Sequence, residues 1–548
     1  MRNPSSKTRT TPGAKVVTAT EAVQHIQNNN TLVTGGFIGS GFAEELAIAL
    51  EQRFLGHDPI SLAGTPIGLT LLFAGGQGDG AERGLNHIAH AGLLKCVIGG
   101  HWGLAPKLQK LALNNEIEAY NLPQGVISQL YRDIAAHRPG LITQVGLGTF
   151  VDPRNRGGKL NSISERSLVE TIEIGGIVYL FYKSFPIHAC FLRGTTSDEH
   201  GNITMEREAL TLDSLSIAMA THNSGGAVIV QVERMAKAGS LKSRQVNIPG
   251  ILVDYVVIAE KPENHWQTFS QPYSAVYSGE LLAPAVQFHT TPLDARKIIA
   301  RRAALELRAH DIVNLGVGIP ELIGEIASEE NIVDLMTLTA EPGVVGGQPA
   351  SGLNFGAAIN AEAILDQPYQ FDFYDGGGLD IAFLGMAQVD ELGNLDVSLF
   401  NGHLAGAGGF IGISQNTQRL VFMGTFCAGH LDIQVESGQV KINREAGVKK
   451  FINKVEQITF NGAQASIRKQ SVLFVTERCV FRLIDSGLEL VEIAPGLNLD
   501  HDILGMMDFH PTISTSLKLM DSRIFSDEPM NMRESLIHFH AALDLHIN

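Results

Sequence analysis

The stretch Thr337-Leu-Thr-Ala-Glu341-Pro-Gly343-Val-Val-Gly346-Gly347 joins one carboxylate to a loop of proline and glycines. The apolar residues before it, Ile332-Val333 and Leu335-Met336, predict a buried strand that carries Glu341 at its carboxyl end. The glycines leave so little side-chain bulk that a ligand can approach the loop backbone closely. Open α/β sheets bind ligands in crevices outside the carboxyl ends of their strands, so Glu341 is a candidate site residue. The alternative is an ordinary surface carboxylate, since the chain has 57 acidic residues.

The composition indicates a large globular α/β protein. The chain has 548 residues, more than a single core usually organises, so two or more domains are expected. It is 44% hydrophobic and contains 58 glycines, which suits many tight turns between strands and helices. A formal net charge of −16 argues against binding nucleic acid or an anionic membrane, but not against a small polyanion held by helix N-termini. No apolar run approaches the 18 residues or so of a membrane span.

The N-terminal residues and the cysteines indicate in which cellular compartment the protein is expected. The first fifteen residues are basic and rich in Ser and Thr, without the apolar segment of a secretory signal. We interpret them as a disordered arm, the alternative being an organelle presequence. The cysteines, Cys96, Cys190, Cys427 and Cys479, follow no metal or disulfide spacing. They predict buried free thiols in a reducing cytoplasm.

Two pairs of similar segments indicate an internal duplication. A strand, a glycine loop and a helix are predicted after Thr31 and again after Asp311. An apolar strand ending in Asp-Glu-x-Gly-Asn occurs at residues 191–202 and again at 383–394. Because both pairs come in the same order, we predict two similar α/β domains, the alternative being chance. The predicted divisions are an arm at 1–16, domains at 17–285 and 286–524, and a peripheral tail at 525–548. The longer first half predicts an insertion within residues 75–170.

Two glycine clusters are candidates for binding through backbone N–H groups. The loop Gly316-Val-Gly318-Ile-Pro320 precedes a helix, but Glu321 replaces the third glycine of a dinucleotide fingerprint. It is either an anion-binding loop or an ordinary turn. The cluster Asn401-Gly402-His403-Leu-Ala-Gly406-Ala-Gly408-Gly409 could supply oxyanion-binding N–H groups or simply turn the chain.

Other polar residues give weaker signals. Gln124 lies in a Pro-Gln-Gly bend and could donate a side-chain amide, although a structural role is more common. His87 and His90 could ligate a metal, but no further ligand stands at metal spacing, so satisfied or exposed imidazoles are favoured. The same holds for His538, His540 and His546. A G-x-S-x-G nucleophile elbow is absent.

Together these segments resemble the family I CoA-transferases, in particular the single-chain acetate CoA-transferase subgroup. The resemblance covers roughly residues 16–525 and includes Gly100-His-Trp-Gly103, Gly148-Thr-Phe-Val-Asp-Pro153 and Phe373-Tyr-Asp-Gly376. It implies two fused domains equivalent to α and β subunits, as the duplication predicts. One departure is Gly412, where the family usually has an aspartate, which predicts a local change in packing or acid–base behaviour.

The resemblance also implies roles for individual residues. Glu341 matches the nucleophile, whereas Gln124 and the N–H of Gly409 match the oxyanion-binding groups. Seven residues match or adjoin CoA-contacting positions: Gly316, Val317, Gly318, Ile319, Pro320, Asn401 and Gly402. No metal ligand is implied.

The implied activity is CoA transfer between a short-chain acyl-CoA and a free carboxylate such as acetate, through a glutamyl-CoA thioester. CoA is then a substrate, and no cofactor is required. The expected partners are small molecules, with neither nucleic acid nor membrane, and the resemblance implies a cytoplasmic homotetramer. Two alternatives stay open: a short-chain acyl-CoA hydrolase on the same scaffold and a non-catalytic acyl-CoA-binding protein.

Overall fold

A computed structural model describes residues 14–58, 60, 62–284 and 292–538. The predicted domain junction at 285/286 and most of the predicted arm therefore lie outside the described residues, as do His540 and His546. Residues 15–16, assigned to the arm, instead form an edge strand that pairs with Tyr255–Val256.

The described residues of the first half form five α-helices and fifteen strands. The helices are α1 (Ala19–Val23), α2 (Glu44–Leu55), α3 (Pro106–Leu113), α4 (Gln124–Ala135) and α5 (Ser214–Asn223). The strands are β1 (Lys15–Val16), β2 (Thr31–Thr34), β3 (Leu69–Phe73), β4 (Leu94–Gly99), β5 (Glu118–Asn121), β6 (Gly140–Thr143), β7 (Val169–Ile174), β8 (Ile177–Lys183), β9 (Ala189–Arg193), β10 (Thr196–Asp198), β11 (Ile203–Thr204), β12 (Ala227–Val232), β13 (Arg234–Ala236), β14 (Val246–Ile248) and β15 (Tyr255–Ile258).

In the second half, residues 292–538 form five further α-helices and eighteen strands, followed by a helix over residues 532–538. The helices are α6 (Ala295–Ala304), α7 (Leu322–Glu329), α8 (Gln367–Asp375), α9 (Phe410–Asn416) and α10 (Gly462–Ile467). The strands are β16 (Ile312–Leu315), β17 (Thr337–Ala340), β18 (Val344–Val345), β19 (Gln348–Pro349), β20 (Ala358–Ile359), β21 (Ala363–Ile364), β22 (Ile381–Gly385), β23 (Gln388–Val389), β24 (Leu395–Asp396), β25 (Leu399–Phe400), β26 (His403–Leu404), β27 (Arg419–Met423), β28 (Cys427–Glu436), β29 (Gln439–Lys449), β30 (Ser471–Val475), β31 (Cys479–Ile484), β32 (Gly487–Ile493) and β33 (Thr512–Leu519).

Each half is organised around one large sheet. The first sheet is entirely parallel, in the order β1-β15-β12-β9-β2-β3-β4-β5. The second has the order β21-β18-β17-β16-β22-β27-β30-β31-β32-β33, with parallel strands from β17 to β30. Neighbouring strand residues such as Leu32 and Val33 face different apolar clusters, so helices cover both faces of the first sheet.

The duplication is confirmed in the order of the strands. The central series β12-β9-β2-β3 of the first sheet corresponds to β27-β22-β16-β17 of the second. The two Asp-Glu-x-Gly-Asn turns also match in detail. Asp198 Oδ1 accepts the Asn202 N–H at 2.9 Å, and Asp390 Oδ1 accepts the Asn394 N–H at 3.0 Å. The fold is thus two fused, similar α/β domains.

Three local features differ from the expectations. Residues Val333–Leu335 form a 3-10 turn, so the strand before Glu341 is shorter than the apolar run suggested. The tail is not peripheral where it is described, because Met530 and Met532 are buried in the second-domain core. The additional elements of the first half extend to β8 at Lys183, beyond the predicted insertion at 75–170.

The cysteine prediction is confirmed in part, because all four thiols are free and buried. In the described part of the chain, no helix combines the length and apolar character needed to cross a bilayer.

Candidate active site

Glu341 immediately follows β17, whose last three residues are buried. The strand ends there because Pro342 and Gly343 follow, and the φ of +127° at Gly343 is one that favours glycine. Burial raises the pKa of the Glu341 carboxyl to about 7, against the opposing effect of a hydrogen bond from the Gln124 side chain. The residue as a whole is half-buried.

A buried polar network underlies β17 two residues before the carboxylate. The Tyr374 hydroxyl donates to Thr339 Oγ1 at 2.8 Å, and Thr339 Oγ1 donates to the Val313 carbonyl at 2.9 Å. Gln370 Nε2 and Asn314 Nδ2 both donate to the Tyr374 oxygen, at 2.8 and 3.2 Å. The network joins β16, β17 and α8, so the position of Glu341 is set by the interior of the second domain.

Gln124 comes from the other domain. It is the first residue of α4, follows Pro123 and is completely buried. Its backbone N–H donates to the Gly408 carbonyl at 2.9 Å, which ties the start of α4 to the glycine cluster of the second domain. Its Oε1 has no hydrogen-bond partner among the described residues.

The glycine cluster packs against the first domain. Ala407 N–H donates to Asn121 Oδ1 at 2.8 Å, and Gly408 N–H donates to the Gly100 carbonyl at 2.8 Å. The N–H groups of Trp102 and Gly103 both donate to the Ala405 carbonyl, at 2.7 and 3.0 Å. These contacts fix the loop that precedes α9.

Gly409 lies directly against Glu341. A Cβ atom at Gly409 would overlap Glu341 Oε2, so only glycine lets the carboxylate occupy this place. The neighbouring N–H groups of Gly408 and Phe410 donate to Gly100 and Ala407. The Gly409 N–H between them makes no hydrogen bond with any residue that the structure describes.

His101 is a further residue at this place, from the segment Gly100–Gly103. A Cβ atom on Gly408 would lie 3.6 Å from His101 Cδ2 and 3.7 Å from Gln124 Oε1, so the imidazole and the Gln124 amide both lie beside Gly408. Burial, with a small contribution from His403, lowers the pKa of His101 to about 4. Its Nδ1 is buried and has no partner in the described residues. The sequence flagged this segment only as part of the resemblance.

The predicted CoA-contacting residues fall in two places. Gly316 follows β16, and its N–H donates to the Phe383 carbonyl at 2.8 Å. Val317 is 58% exposed, and Gly318 has a φ of +93° with open space around its Cα. Ile319 and Pro320 begin a 3-10 turn that leads into α7.

Asn401 and Gly402, in contrast, form the exposed turn of the β25–β26 hairpin. The Asn401 N–H donates to Glu456 Oε1 at 2.8 Å.

Gly412 faces a different carboxyl group. A Cβ on Gly412 would lie 3.2 Å from Asp375 Oδ1 on α8. Gln129 Nε2 donates to Asp375 Oδ2 at 2.9 Å. Burial raises the pKa of Asp375 to about 7, against these hydrogen bonds and with the neighbouring charge of Asp372. An aspartate at 412 would place a second carboxyl group beside the first, so the glycine avoids a buried like-charge contact.

The histidine pair has carboxylate partners from α2. His87 Nδ1 lies 2.7 Å from Glu51 Oε2, and His87 Nε2 lies 3.1 Å from Glu44 Oε1. His90 Nε2 lies 2.8 Å from Glu51 Oε1. Sequence spacing missed these carboxylates because they lie 36 to 43 residues away in the chain. Across the described residues, no set of three or more His, Cys, Asp or Glu side chains is arranged to hold a metal ion.

Comparison with known proteins identifies the family. The Coenzyme A transferase family profile matches residues 16–259. The chain is 46% identical over 520 residues to the caffeate CoA-transferase of Acetobacterium woodii, covering 94% of this chain and 98% of that protein. It is 44% identical over 517 residues to the acetate CoA-transferase YdiF of Escherichia coli K12, covering 94% and 96%.

Comparison with solved structures supports the same family. The apoenzyme of the acyl-CoA transferase YdiF from Escherichia coli O157:H7 matches with a TM-score of 0.89 and 43% identity, covering 95% of this chain and 98% of that one. The thioester complex of the same acyl-CoA transferase with CoA matches with a TM-score of 0.88. The chain belongs to the family I CoA-transferases, as a single-chain member with both domains fused.

Proposed function

We propose that this CoA-transferase exchanges CoA between an acyl-CoA and a free short-chain carboxylate such as acetate, through a thioester formed on Glu341. One observation carries the proposal: the Glu341 carboxylate lies between the Gln124 amide of one domain and Gly409 of the other. That placement gives a nucleophile with hydrogen-bond donors on both sides.

Glu341 attacks the thioester carbonyl, which breaks the C–S bond and gives a mixed anhydride and CoA thiolate. The thiolate then attacks the glutamyl carbonyl, forming the glutamyl-CoA thioester and releasing the first carboxylate. A second carboxylate reverses both steps and leaves as the new acyl-CoA. No net proton or electron is transferred, so the proposed chemistry calls for no metal or redox group.

Gln124 Nε2 and the Gly409 N–H stabilise the oxyanions that form at the reacting carbonyls. Support comes from the hydrogen bond of Gln124 to Glu341 and from the unpaired Gly409 N–H. Loss of one such donor typically costs on the order of 100-fold in rate. The Gly316–Pro320 loop and the Asn401–Gly402 turn bind CoA, and remote binding energy from CoA is directed to the reacting centre.

The range of acids is open within this proposal. The two curated relatives are named for caffeate, a bulky aromatic acid, and for acetate, a small aliphatic one. We retain acetate and other short-chain acids as acceptors, with caffeate as a competing substrate to be tested. A cytoplasmic homotetramer remains the proposed form, and the four free, buried thiols are consistent with a reducing compartment.

The test is the intact mass of the protein after incubation with acetyl-CoA alone, with Glu341→Ala as the control. We expect the unmodified sequence to gain the mass of CoA less one water and the control to gain nothing. Adding propionate should discharge the adduct into propionyl-CoA, which separates a transferase from a hydrolase. If acetyl-, butyryl- and caffeoyl-CoA all fail to give an adduct and none is consumed, the transferase proposal fails and the acyl-CoA-binding alternative is left.

A further inference from the structure

A chain of hydrogen bonds leads from the interior of the first domain to the Glu341 carboxylate. Gln124 Nε2 donates to Gln367 Oε1 at 3.2 Å, and Gln367 Nε2 donates to Asp213 Oδ2 at 2.9 Å. The Ser128 hydroxyl donates to Asp213 Oδ1. These four side chains are each 4% exposed or less, so water does not compete for their hydrogen bonds.

The chain alternates between the domains. Ser128 and Gln124 lie on α4, and Asp213 precedes α5, all in the first domain. Gln367 is the first residue of α8 in the second domain, and its N–H donates to the Leu212 carbonyl at 3.0 Å. The side chain of Gln367 is therefore anchored between two groups of the opposite domain.

The direction of the chain is fixed at Asp213. A side-chain amide has one donor end and one acceptor end, whereas an ionised carboxylate only accepts. Asp213 Oδ2 therefore selects the NH₂ end of Gln367, so that Gln367 Oε1 faces Gln124. That oxygen in turn selects the NH₂ end of Gln124, and a hydrogen bond from the Gln124 side chain lowers the pKa of the Glu341 carboxyl. Burial raises the pKa of Asp213 to about 7, but a proton on Oδ1 beside Ser128 leaves Oδ2 an acceptor.

The unpaired end of Gln124 supports this interpretation. Gln124 Oε1 is buried without a partner among the described residues, so no hydrogen bond at that end of the amide fixes its orientation. The orientation of the Gln124 side-chain amide is thus set by its hydrogen bond to Gln367 and not by a contact at Oε1.

We propose that Gln367 and Asp213 are positioning residues that keep the NH₂ end of Gln124 directed at the reacting carboxyl group. This inference rests on the role of Gln124 in the proposed function. Without Gln367, the Gln124 amide can rotate or present its carbonyl oxygen, which would repel the developing oxyanion. The expected loss is in the chemical steps, because neither residue belongs to the CoA-contacting loops.

The test is a double-mutant cycle of Gln124→Ala and Gln367→Met. In the intact protein, Q367M should lower kcat about 10- to 100-fold and change the KM for acyl-CoA less than about twofold. In the Q124A background, Q367M should lower kcat no further, because Gln367 acts only through Gln124. Asp213→Leu, which keeps a similar side-chain volume but removes the acceptor for Gln367, should lower kcat in the same direction.

Gln129→Met is the matched control. Gln129 also lies on α4 and bonds α8 across the domain interface, to Asp372 at 3.1 Å and Asp375 at 2.9 Å, but does not reach Gln124. Its replacement should leave kcat within about twofold. If Q129M lowers kcat as much as Q367M does, the proposal is overturned. It is also overturned if Q367M lowers kcat by the same factor in the Q124A background as in the protein that keeps Gln124.

A second measurement does not depend on turnover. The pKa of Glu341 can be obtained from the difference in unfolding free energy between Glu341 and Glu341→Gln proteins as a function of pH. Because Q367M removes the constraint on a hydrogen bond that lowers this pKa, the pKa should rise in Q367M and stay unchanged in Q129M. An unchanged pKa in Q367M would contradict the proposal even if no glutamyl-CoA adduct forms, so the two failures are distinguishable.

Discussion

Gly409 and Glu341 lie so close together that a methyl group on Gly409 would overlap Glu341 Oε2. Gly409 also starts α9, with an ordinary φ of −78°. The requirement for glycine is therefore steric, imposed by the carboxylate rather than by the backbone.

Gly409→Ala should abolish most activity without unfolding the protein. The new Cβ displaces the Glu341 carboxylate, and we expect kcat to fall on the order of 100-fold or more. Steady-state kinetics and the yield of the glutamyl-CoA adduct measure the loss. The control is Gly324→Ala in α7, where a Cβ meets only Leu315 Cδ1 at 3.8 Å. Retention of full activity in Gly409→Ala would exclude the proposed contact.

The pH profile of the reaction should report the Glu341 carboxyl. Burial raises its pKa to about 7, and only the ionised form is nucleophilic. We therefore expect kcat/KM to fall about tenfold for each pH unit below 7 and to level off above it. Measuring kcat/KM between pH 5 and 9 tests whether ionisation of Glu341 controls the rate. A flat profile down to pH 5 would show that another group or step controls the rate.

Glu341→Gln should stabilise the folded protein at neutral and higher pH. The folded pKa of about 7 exceeds the ordinary glutamate pKa of 4.5, so ionisation favours the unfolded chain above pH 4.5. The destabilisation grows between pH 4.5 and 7 and is constant above that range. Unfolding in denaturant at pH 5 and pH 8 should show a larger gain from the glutamine at pH 8. An equal gain at both pH values would contradict the raised pKa.

His87 should stabilise the first domain in its charged form. Burial opposes the charge but is outweighed by the hydrogen bonds and charges of Glu44 and Glu51, which raise the pKa of His87 to about 9. Its stabilisation is fully present below pH 6.5 and is lost as pH rises through 9. The destabilisation caused by His87→Gln should therefore shrink between pH 6 and pH 9. A destabilisation by His87→Gln that is equal at pH 6 and pH 9 would contradict the raised pKa of His87.

Val317→Asp should weaken the binding of acyl-CoA selectively. Val317 is 58% exposed, so the change is tolerated by the fold, and it adds a negative charge to the loop proposed to contact CoA phosphates. A like-charge contact at 4 Å costs about 1 kcal/mol in water, or about fivefold in KM. The effect should decrease with added salt. Leu392→Asp, at a 54% exposed position in the Asp390–Asn394 turn, which is not a predicted CoA-contacting segment, is the control and should leave KM unchanged.

Much of the fold follows from local patterns that depend on neighbouring residues alone. The paired Asp198 and Asp390 turns were visible in the sequence because each is closed by its own aspartate. The prediction of the strand before Glu341 was less accurate, because the apolar run that includes Val333 and Leu335 suggested a strand, whereas Val333–Leu335 forms a 3-10 turn. The buried tail was missed because Met530 bonds Glu330, 200 residues earlier.

The sequence by itself determined the family, the duplicated α/β architecture and the candidate residues Glu341, Gln124 and Gly409. Each motif is a short run of neighbouring residues, and the order of the motifs can be read directly along the chain. Only the tertiary structure decided that these three residues meet, since they come from two domains and are separated by up to 285 residues. It alone placed Gln367 and Asp213 behind Gln124, because no spacing along the chain encodes the direction of a buried amide.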